Sequence, residues 1–311
     1  MNNYEIAMNS EGSVQLQNEN LKNIDVDFLY HFGIDNKTTD LEKTFGDVNF
    51  VVMGGSEGRM ENFAKALYNH LKDKLPNLDP KCAETDLAKK GGRYVMFKIA
   101  NTLILNHGMG FGSLSIALHE ILKLLHYAKA KNLTFIRMGT CGGVGQEAGT
   151  ICITKTGYTQ LIEPYFPYAA CGKVIKLPST ACDQTIKIFS EHVERAGLTF
   201  AIGNTVSTDD FYEGQGRTDG AFCHYTSEQK LDWLRELSTV HNVINFEMEA
   251  CLFIASCNRA KVKSLCACAA MLNRLNGDQI TSTKEVLGGY VDKLMSVVIE
   301  FVSSPLLEIQ K

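Results

Sequence analysis

A glycine-flanked segment that carries an amide and a guanidinium two residues apart is the clearest indication of chemistry in this sequence. The segment runs from Phe211 to Arg217 and places Gln215 between Gly214 and Gly216. A Gln side chain offers a hydrogen-bond donor beside an acceptor, which matches the imide edge of a uracil ring, and Arg adds a fixed fork of donors. The spacing therefore indicates a site that binds a pyrimidine base.

Glycine-containing turns also follow three predicted buried strands. They contain Gly55 with Arg59, residues 108–112, and Arg137 with Thr140. Glycine lets backbone N–H groups approach an anion closely, and Arg donates paired hydrogen bonds to phosphate oxygens. Any one such turn is more often an ordinary surface loop. Because ligands collect beyond the carboxyl ends of strands in open α/β sheets, the repetition favours a shared phosphate site.

Two common nucleotide-binding motifs are excluded. The glycines of residues 108–112 resemble a dinucleotide-binding turn, but that motif requires an acidic residue at the end of the next strand. Here that strand ends in Met-Gly-Thr at residues 138–140. A Walker A loop requires Gly-Lys followed by Ser or Thr, whereas residues 58–60 are Gly-Arg-Met.

Two carboxylates flank a methionine where a predicted strand meets a predicted helix. These residues are Glu247, Met248 and Glu249. Acidic residues are favoured in the first turn of any helix, so a purely structural role is open. A buried carboxylate also accepts two hydrogen bonds, as the two hydroxyls of a ribose require, and Met offers an apolar surface to the sugar. The base and phosphate motifs favour the second interpretation.

The remaining polar residues give weaker signals. His31 lies in an aromatic stretch, residues 28–33, where packing and binding are both open. No arrangement of Ser, His and Asp is discernible, so we expect no covalent nucleophile. The ten cysteines lack CxxC spacing, so we expect reduced, mostly buried thiols and no metal site.

Composition limits the partners of such a site. The chain has 311 residues, 45% of them hydrophobic, which predicts a packed globular protein. Its formal net charge of -4 provides no general attraction to nucleic acid or to an anionic membrane. The first 20 residues lack a basic start followed by an apolar run, and no stretch is long and apolar enough to span a bilayer. We therefore expect a cytoplasmic location.

Alternating strand and helix patterns predict an α/β fold with a mainly parallel sheet. Strands are expected at residues 48–53, 133–138, 200–206 and 263–272. Ser113 or Ser115 is expected to cap a helix that runs to about Lys129, and residues 226–229 fit a capping box ahead of a helix over residues 231–237. No change in composition divides the chain. We therefore expect a polar leader over residues 1–25 and a single domain over residues 26–311.

Taken together, these motifs resemble the nucleoside phosphorylase I family, and within it the uridine phosphorylases of animals. Their order and spacing match from about His31 to the C-terminal helix. The residues that carry the resemblance are Gly55-x-x-x-Arg59, Arg93-Tyr94, His107-Gly108-Met109-Gly110, Arg137-x-Gly139-Thr140, residues 211–217, Glu247-Met248-Glu249 and Leu272-Asn273-Arg274.

The resemblance implies a fold, a reaction and a role for each residue. The fold would be a single α/β domain with a mixed, partly closed central sheet flanked by helices. The reaction would be the reversible phosphorolysis of uridine to uracil and ribose 1-phosphate, with deoxyuridine or thymidine as further substrates, with no cofactor and with inorganic phosphate as co-substrate.

The implied phosphate ligands are Gly55, Arg59, Arg137, Thr140 and, from a neighbouring subunit, Arg93. The implied uracil ligands are Phe211, Gln215, Arg217 and Arg274, and the implied ribose ligands are Thr140, Met248, Glu249 and the neighbour's His31. Arg59, Arg137, Gln215 and Arg217 would be the catalytic residues.

Three positions depart from other branches of that family. Purine-cleaving members carry an Asp where this chain has Asn273, which favours a pyrimidine substrate. Bacterial members carry a Glu where this chain has Tyr94, so we expect no potassium requirement and a homodimer with shared active sites rather than a hexamer. Cys141 follows Thr140, where relatives often carry Thr or Ser, and we expect it to be a small buried residue.

Two other functions remain open at this point. A nucleosidase would use water in place of phosphate, but water needs no cluster of arginines such as Arg59, Arg93 and Arg137. An inactive relative would bind nucleoside without turnover, and the presence of Gln215, Arg217 and Glu249 argues against this.

Overall fold

The computed structural model of this protein describes residues 11–308. The first ten residues of the predicted leader lie outside the described residues. Contacts within the chain divide it into two compact units. Unit 1 contains residues 11–136, 256–264 and 302–308, and unit 2 contains residues 137–255 and 265–301.

Strands and helices alternate along much of the described chain. The strands are β1 (Phe28–Leu29), β2 (Ile34–Asp35), β3 (Phe50–Gly54), β4 (Met96–Ile99), β5 (Thr102–Asn106), β6 (Thr134–Gly143), β7 (Ile151–Thr159), β8 (Tyr165–Ala170), β9 (Lys173–Pro178), β10 (Phe200–Ser207), β11 (Val243–Glu247) and β12 (Lys263–Asn273). The α-helices are α1 (Leu41–Phe45), α2 (Glu57–Leu71), α3 (Gly110–Tyr127), α4 (Asp183–Arg195), α5 (Ser227–His241), α6 (Ala250–Arg259) and α7 (Lys284–Glu308). Short 3₁₀ helices cover Glu19–Asn23, Glu213–Gln215 and Arg274–Asn276.

Unit 1 is built on strands whose residues are almost all buried. The strand order is β6-β3-β5-β4, with the first residues of β6. Strands β3 and β5 are parallel, and β4 pairs with β5 in the antiparallel direction. Helix α2 packs on β4 and β5 through an apolar face that includes Phe63 and Leu67. Gly55 and the start of α2 directly follow the carboxyl end of β3, so both lie at that edge of the sheet.

The described part of the predicted leader contributes to unit 1. Leu133 N–H donates to the carbonyl of Gly12 at 3.0 Å, and Gln15 N–H donates to the carbonyl of Ala260 at 2.9 Å. Buried backbone groups need such partners, so residues 11–15 satisfy groups that the rest of the unit leaves unpaired.

Unit 2 contains a sheet that closes on itself. The order is β11-β10-β7-β12-β6, with the later residues of β6, and β11 pairs back with β6 at Asn245–Gly143 and Phe246–Gly142. The pairs of β10 with β7 and β11 are parallel, whereas β12 with β7 and β11 with β6 are antiparallel. Helix α4 packs on β7 and β10, and α5 packs on β11.

The fold class is confirmed: the protein is α/β, with a mixed, partly closed sheet flanked by helices. The expectation of a mainly parallel sheet, based on strand–helix alternation, is wrong, because alternation does not reveal the direction in which non-consecutive strands pair. The expected helix cap at Ser113 or Ser115 is also wrong. Helix α3 begins at Gly110, and Ser113 instead accepts a hydrogen bond at its carbonyl from Tyr94 Oη at 2.9 Å.

The expected capping box forms at the start of α5. Thr226 caps α5 through a capping box, in which its side chain accepts from Gln229 N–H while the Gln229 side chain accepts from Thr226 N–H. Among residues 11–308, no helix has the length and apolar character needed to cross a membrane.

The close approach of α6 to β7 predicts a stability cost at Gly157. A Cβ at this position would lie 2.6 Å from Cys251 Cα and 2.8 Å from Cys251 N, and backbone atoms cannot move aside easily. Replacing Gly157 with Ala should therefore lower the free energy of unfolding by about 1–3 kcal/mol in denaturant titrations. The matched control is Gly58→Ala on the exposed side of α2, where no atom lies within 4 Å of the new Cβ. Equal stability of the Gly157 variant and wild type would contradict this account.

Candidate active site

The base-binding segment predicted from the sequence follows β10 in unit 2. A 3₁₀ helix covers Glu213–Gln215, and Gly216 then adopts a left-handed backbone conformation with φ of 64°. A Cβ on Gly216 would lie 2.6 Å from the Trp233 ring, so glycine is required for both its conformation and its space. Asp210 accepts a hydrogen bond from Gly214 N–H at 2.7 Å, which fixes the start of the turn.

The Gln215 side chain is held in place before any ligand binds. The residue is 3% exposed, and its Nε2 donates to Thr208 Oγ1 at 3.2 Å. Its backbone carbonyl accepts from Arg274 Nη2 at 2.8 Å. Since a primary amide carries two N–H groups and one carbonyl, one donor and the acceptor remain to pair with a base.

Arg217 is fixed on one side and stacked on another. Its Nε and Nη2 donate to the two carboxylate oxygens of Asp219 at 2.9 and 2.7 Å, and Nη2 also donates to the Asp278 carbonyl at 2.8 Å. The Arg217 Cζ lies 4.5 Å from the centroid of the Phe211 ring, which is 44% exposed. Phe211, predicted to pack on uracil, therefore packs against the guanidinium, and the Arg217 hydrogen bond donors on Nη1 are left for a ligand.

Arg274, a further predicted uracil ligand, is completely buried. Its Nε donates to Asp278 Oδ1 at 2.8 Å, and its Cζ lies 5.5 Å from the Phe246 ring. Its Nη1 makes no hydrogen bond with any residue that the structure describes. A buried donor without a partner is costly, so this atom is suited to receive a ligand oxygen or a water that bridges to one.

Two charged residues of this network were not predicted from the sequence. Asp278 and Lys230 are each 6% exposed, and Lys230 Nζ lies 2.6 Å from Asp278 Oδ1. The one signal in the sequence is that Asp278 follows Arg274 by four residues. Nothing in the pattern of α5 distinguishes Lys230 from an ordinary surface lysine.

Arg137 lies at the centre of a second buried cluster in unit 2. It is 3% exposed, its Nη1 lies 2.8 Å from Glu247 Oε2, and its Nη2 donates to Glu249. Nη1 also contacts the thiols of Cys266 and Cys268 at 3.5 and 3.3 Å. The buried Nε makes no hydrogen bond to the described residues. Burial alone would lower the pKa of Arg137, but the two carboxylates outweigh burial and raise it.

Glu247 has the structural role that the sequence left open for its segment. It accepts hydrogen bonds from Glu249 N–H and Ala250 N–H at 2.9 Å each, as an acid at the start of α6 does, and it also holds Arg137. Burial raises the pKa of Glu247 to about 7; Arg137 opposes the shift and Glu249 adds to it. Glu247 is therefore partly protonated near neutral pH, although it contacts the Arg137 guanidinium.

The same cluster contains groups that could in principle bind a metal. Ligand atoms of Glu247, Cys266 and Cys268 lie within 4.8 Å of one another. The Arg137 guanidinium already bonds all three groups, and a second cation beside it would be repelled. The donor set therefore fits the Arg137 side chain better than a metal ion.

Other predicted residues of unit 2 lie on adjacent strands. Thr140 is half-buried in β6, and Met248 is half-buried at the end of β11. Cys141 is buried beside Cys152 and Cys268, and burial raises the pKa of its thiol well above the usual value. A buried protonated thiol fits the expected structural role for Cys141.

The predicted residues of unit 1 form two groups. Gly55 follows β3, with Arg59 four residues later in the first turn of α2, and a Cβ on Gly55 would lie 3.2 Å from the Gly108 carbonyl. The two glycine turns are thus brought together, as the sequence predicted. Exposed Arg93 follows Gly91, at which a Cβ would lie 2.0 Å from the His31 carbonyl.

His31 is oriented by a buried carboxylate that the sequence analysis did not identify. Glu120 on α3 is 8% exposed and lies 2.6 Å from His31 Nδ1. It also accepts from the backbone N–H groups of His31 and Phe32 at 3.0 and 3.2 Å. With Nδ1–H bonded to Glu120, the ring of His31 is fixed in orientation and its other nitrogen is the one available to a ligand.

Known proteins share both the sequence and the fold of this chain. The family described as the Phosphorylase superfamily matches residues 49–303. Uridine phosphorylase 1 of Mus musculus is 37% identical over 302 residues, which cover 94% of this chain and 93% of the mouse protein. Inactive uridine phosphorylase B of Schistosoma mansoni is 32% identical over 270 residues, which cover 86% of this chain and 88% of that protein.

A solved structure extends the similarity to three dimensions. The structure of uridine phosphorylase from Schistosoma mansoni in complex with thymidine has a TM-score of 0.87 and 32% identity to this chain. The similarity covers 94% of this chain and 98% of the Schistosoma mansoni chain. The chain therefore belongs to the phosphorylase superfamily and, within it, to the family of the uridine phosphorylases.

Proposed function

We propose that this chain is a uridine phosphorylase, a pentosyltransferase that converts uridine and phosphate reversibly to uracil and ribose 1-phosphate in pyrimidine salvage. The observation that carries the proposal is the fixed Gln215 amide, with Arg274 bonded to the Gln215 backbone carbonyl and Arg217 held by Asp219 and Asp278. The remaining donor and acceptor of the amide match the imide edge of uracil. Because the thymidine complex belongs to a related protein, thymidine and deoxyuridine are proposed as further substrates.

The arrangement suits a reaction in which uracil leaves as an anion. A phosphate oxygen attacks the anomeric carbon while the bond from that carbon to uracil N1 breaks, and the bonding electrons remain on uracil. Arg217 and Gln215 stabilise this charge through the uracil carbonyl oxygens, with Arg274 behind them and Phe211 beside Arg217. Stabilisation of charge that develops in the transition state lowers the barrier directly.

The phosphate and ribose roles are assigned to the remaining predicted residues. Arg59 and Arg93 would bind phosphate with the help of Gly55 and Thr140. Arg137 would use its Nε, since both of its Nη atoms are bonded to carboxylates. The negative charge of phosphate then stabilises the positive charge of the sugar in the transition state, without a protein nucleophile or a cofactor.

Arg137 also fixes the ribose carboxylate in this proposal. It bonds Glu249, which would accept the sugar hydroxyls, while Met248 lines the sugar. His31, oriented by Glu120, would contact the 5'-hydroxyl in the neighbouring subunit. We accordingly propose a homodimer, and a cytoplasmic location consistent with ten free cysteines.

The principal alternative is a chain that binds nucleoside without turning it over. One related protein bears the name inactive uridine phosphorylase B, so kinship alone does not settle activity. Here the predicted base-binding groups Gln215 and Arg217 are present and hydrogen-bonded in place, which supports an active enzyme.

The reaction itself is tested by product analysis. With uridine and phosphate, the purified protein should form uracil and ribose 1-phosphate in equal amounts, and no uracil should form when phosphate is omitted. Uracil release without phosphate would indicate a nucleosidase. Uridine binding in calorimetry without any product would indicate an inactive relative.

Removal of the Gln215 amide should abolish most of the activity. Gln215→Leu leaves the polar edge of uracil unpaired, and we expect uridine turnover to fall at least about 100-fold, on the order of 3 kcal/mol. The control is Gln184→Leu, an exposed glutamine on α4, which should keep wild-type kinetics. Near-normal turnover of the Gln215 variant would remove the basis of the base-site assignment.

The raised pKa of Glu247 predicts how stability depends on pH. The pKa is about 7 in the folded protein against an ordinary 4.5, so between these values the folded chain keeps a proton that the unfolded chain has lost. Stability is therefore highest below the lower pKa, and it falls by on the order of 3 kcal/mol as pH rises through the upper one.

Urea titrations from pH 5 to 8 measure this dependence. The Glu247→Gln variant should show a flatter decline in the free energy of unfolding than wild type. The exposed Glu228→Gln on α5 serves as control and should keep the wild-type slope. An unchanged slope in the Glu247 variant would show that another group titrates.

A further inference from the structure

A buried ion cluster connects Arg217 and Arg274, two of the proposed base-binding residues. Asp278 uses both carboxylate oxygens: Oδ1 accepts from Arg274 Nε and Lys230 Nζ, and Oδ2 accepts from Thr218 N–H at 3.0 Å and Thr218 Oγ1 at 3.2 Å. Its backbone carbonyl accepts from Arg217 Nη2. One residue thus holds Arg274, the chain after Arg217, and Arg217 itself.

Through Arg274, the same residue controls the position of Gln215. Arg274 Nη2 donates to the Gln215 carbonyl at 2.8 Å while its Nε is bonded to Asp278. The guanidinium is rigid and planar, so fixing one edge fixes the direction of the other. The position of the amide that meets the base therefore depends on Asp278.

Lys230 changes the charge of this cluster. The side chains of Arg217, Lys230 and Arg274 are cations, and those of Asp219 and Asp278 are carboxylates, which gives three positive charges against two negative ones. Burial alone would raise the pKa of Asp278, but Lys230, the Thr218 N–H and Arg274 together lower it to about 2. Asp278 is therefore ionised at neutral pH, and the five side chains retain one excess positive charge.

An excess buried charge is costly unless a ligand compensates it. Lysine is rarely buried, and Lys230 pairs with a carboxylate that Arg274 already neutralises. Without Lys230, the remaining four side chains would be balanced. The charge that Lys230 adds is the one that an anionic base would neutralise.

We propose that Asp278 and Lys230 act as one positioning pair, in which Asp278 fixes Arg217, Arg274 and Gln215, and Lys230 supplies the excess charge that favours an anionic uracil. The pair contacts the base-binding groups and not the substrate. The inference rests on the proposed function, because it presupposes that uracil leaves from this site.

The charge of the pair is tested by comparing two leaving groups. 5-Fluorouracil is a stronger acid than uracil, so its departure demands less stabilisation of negative charge. Lys230→Met should lower kcat for uridine about 10-fold or more, and lower kcat for 5-fluorouridine by a clearly smaller factor. Lys230→Arg should restore much of the uridine rate, and KM for phosphate should remain near the wild-type value.

A matched control lies on the same helix. Arg235 on α5 forms an exposed ion pair with Asp232 at 3.1 Å, and Arg235→Met removes a cation from that pair. Its kinetics with both nucleosides should equal those of wild type. Equal losses on the two nucleosides in Lys230→Met would show a merely structural role and would overturn the proposal, as would no loss at all.

The coupling of the pair is tested by a second variant that preserves side-chain size. Asp278→Asn should weaken uracil binding in calorimetry, and the double variant with Lys230→Met should lose less than the product of the two single losses, because Lys230→Met removes one of the two buried cations that Asp278→Asn leaves without their carboxylate. Losses that simply multiply would overturn the proposal. If Lys230→Met folds poorly, Lys230→Gln can replace it in the single and the double variant, and the same comparison applies.

The activity of the wild-type protein distinguishes a failure of the proposed function from a failure of the positioning pair. If wild type does not cleave uridine with phosphate, the proposed function fails. If wild type is active and the variants of Lys230 and Asp278 match it, the positioning pair alone fails.

Discussion

The hydrogen bonds that Asp278 accepts are the constraint on which the proposed base site depends. The 3₁₀ helix that carries Gln215 is short, and a loop of this kind has little intrinsic stability. Arg274 and Arg217 hold it because Asp278 holds them, and the buried Lys230 is accommodated by the same carboxylate. The site is therefore rigid before a base arrives, so its donors need little reorganisation during the reaction.

A second buried cluster in unit 2 has the opposite composition, with more carboxylates than cations. Arg137 is one cation between Glu247 and Glu249, whereas the Asp278 cluster has more cations than carboxylates. In the proposed site the carboxylates of the first cluster lie beside the ribose, which becomes positive as the bond breaks, and the excess positive charge of the second favours the departing base. The two buried clusters thus match the charge separation of phosphorolysis.

Much of the fold was predictable because local patterns determine it. Buried apolar runs identified β3, β6, β10 and β12, and the Thr226 capping box marked the start of α5. The start of α3 was not predictable, because Gly110 is a poor helix former whose place depends on contacts such as that between Tyr94 and Ser113. The mixed direction of the sheet also depends on pairings between strands far apart in the sequence.

The candidate site was predictable to a similar extent. Residues 211–217 stand out because glycines and hydrogen-bonding side chains occur together, and the structure joins Gln215, Arg217 and Arg274 in one network. Their roles toward uracil remain predictions. Asp278, Lys230 and Glu120 could not be identified, since each acts through a partner that packing alone brings near.

The ionisation of bound uracil tests the central claim most directly. Uracil and its anion absorb ultraviolet light differently, so a difference-spectrum titration of the complex with the wild-type protein reports the pKa of the bound base. If the excess positive charge of the Asp278 cluster stabilises the anion, this pKa should lie at least about one unit below that of free uracil, a tenfold preference for the anion. An unchanged or raised pKa of bound uracil would contradict the account.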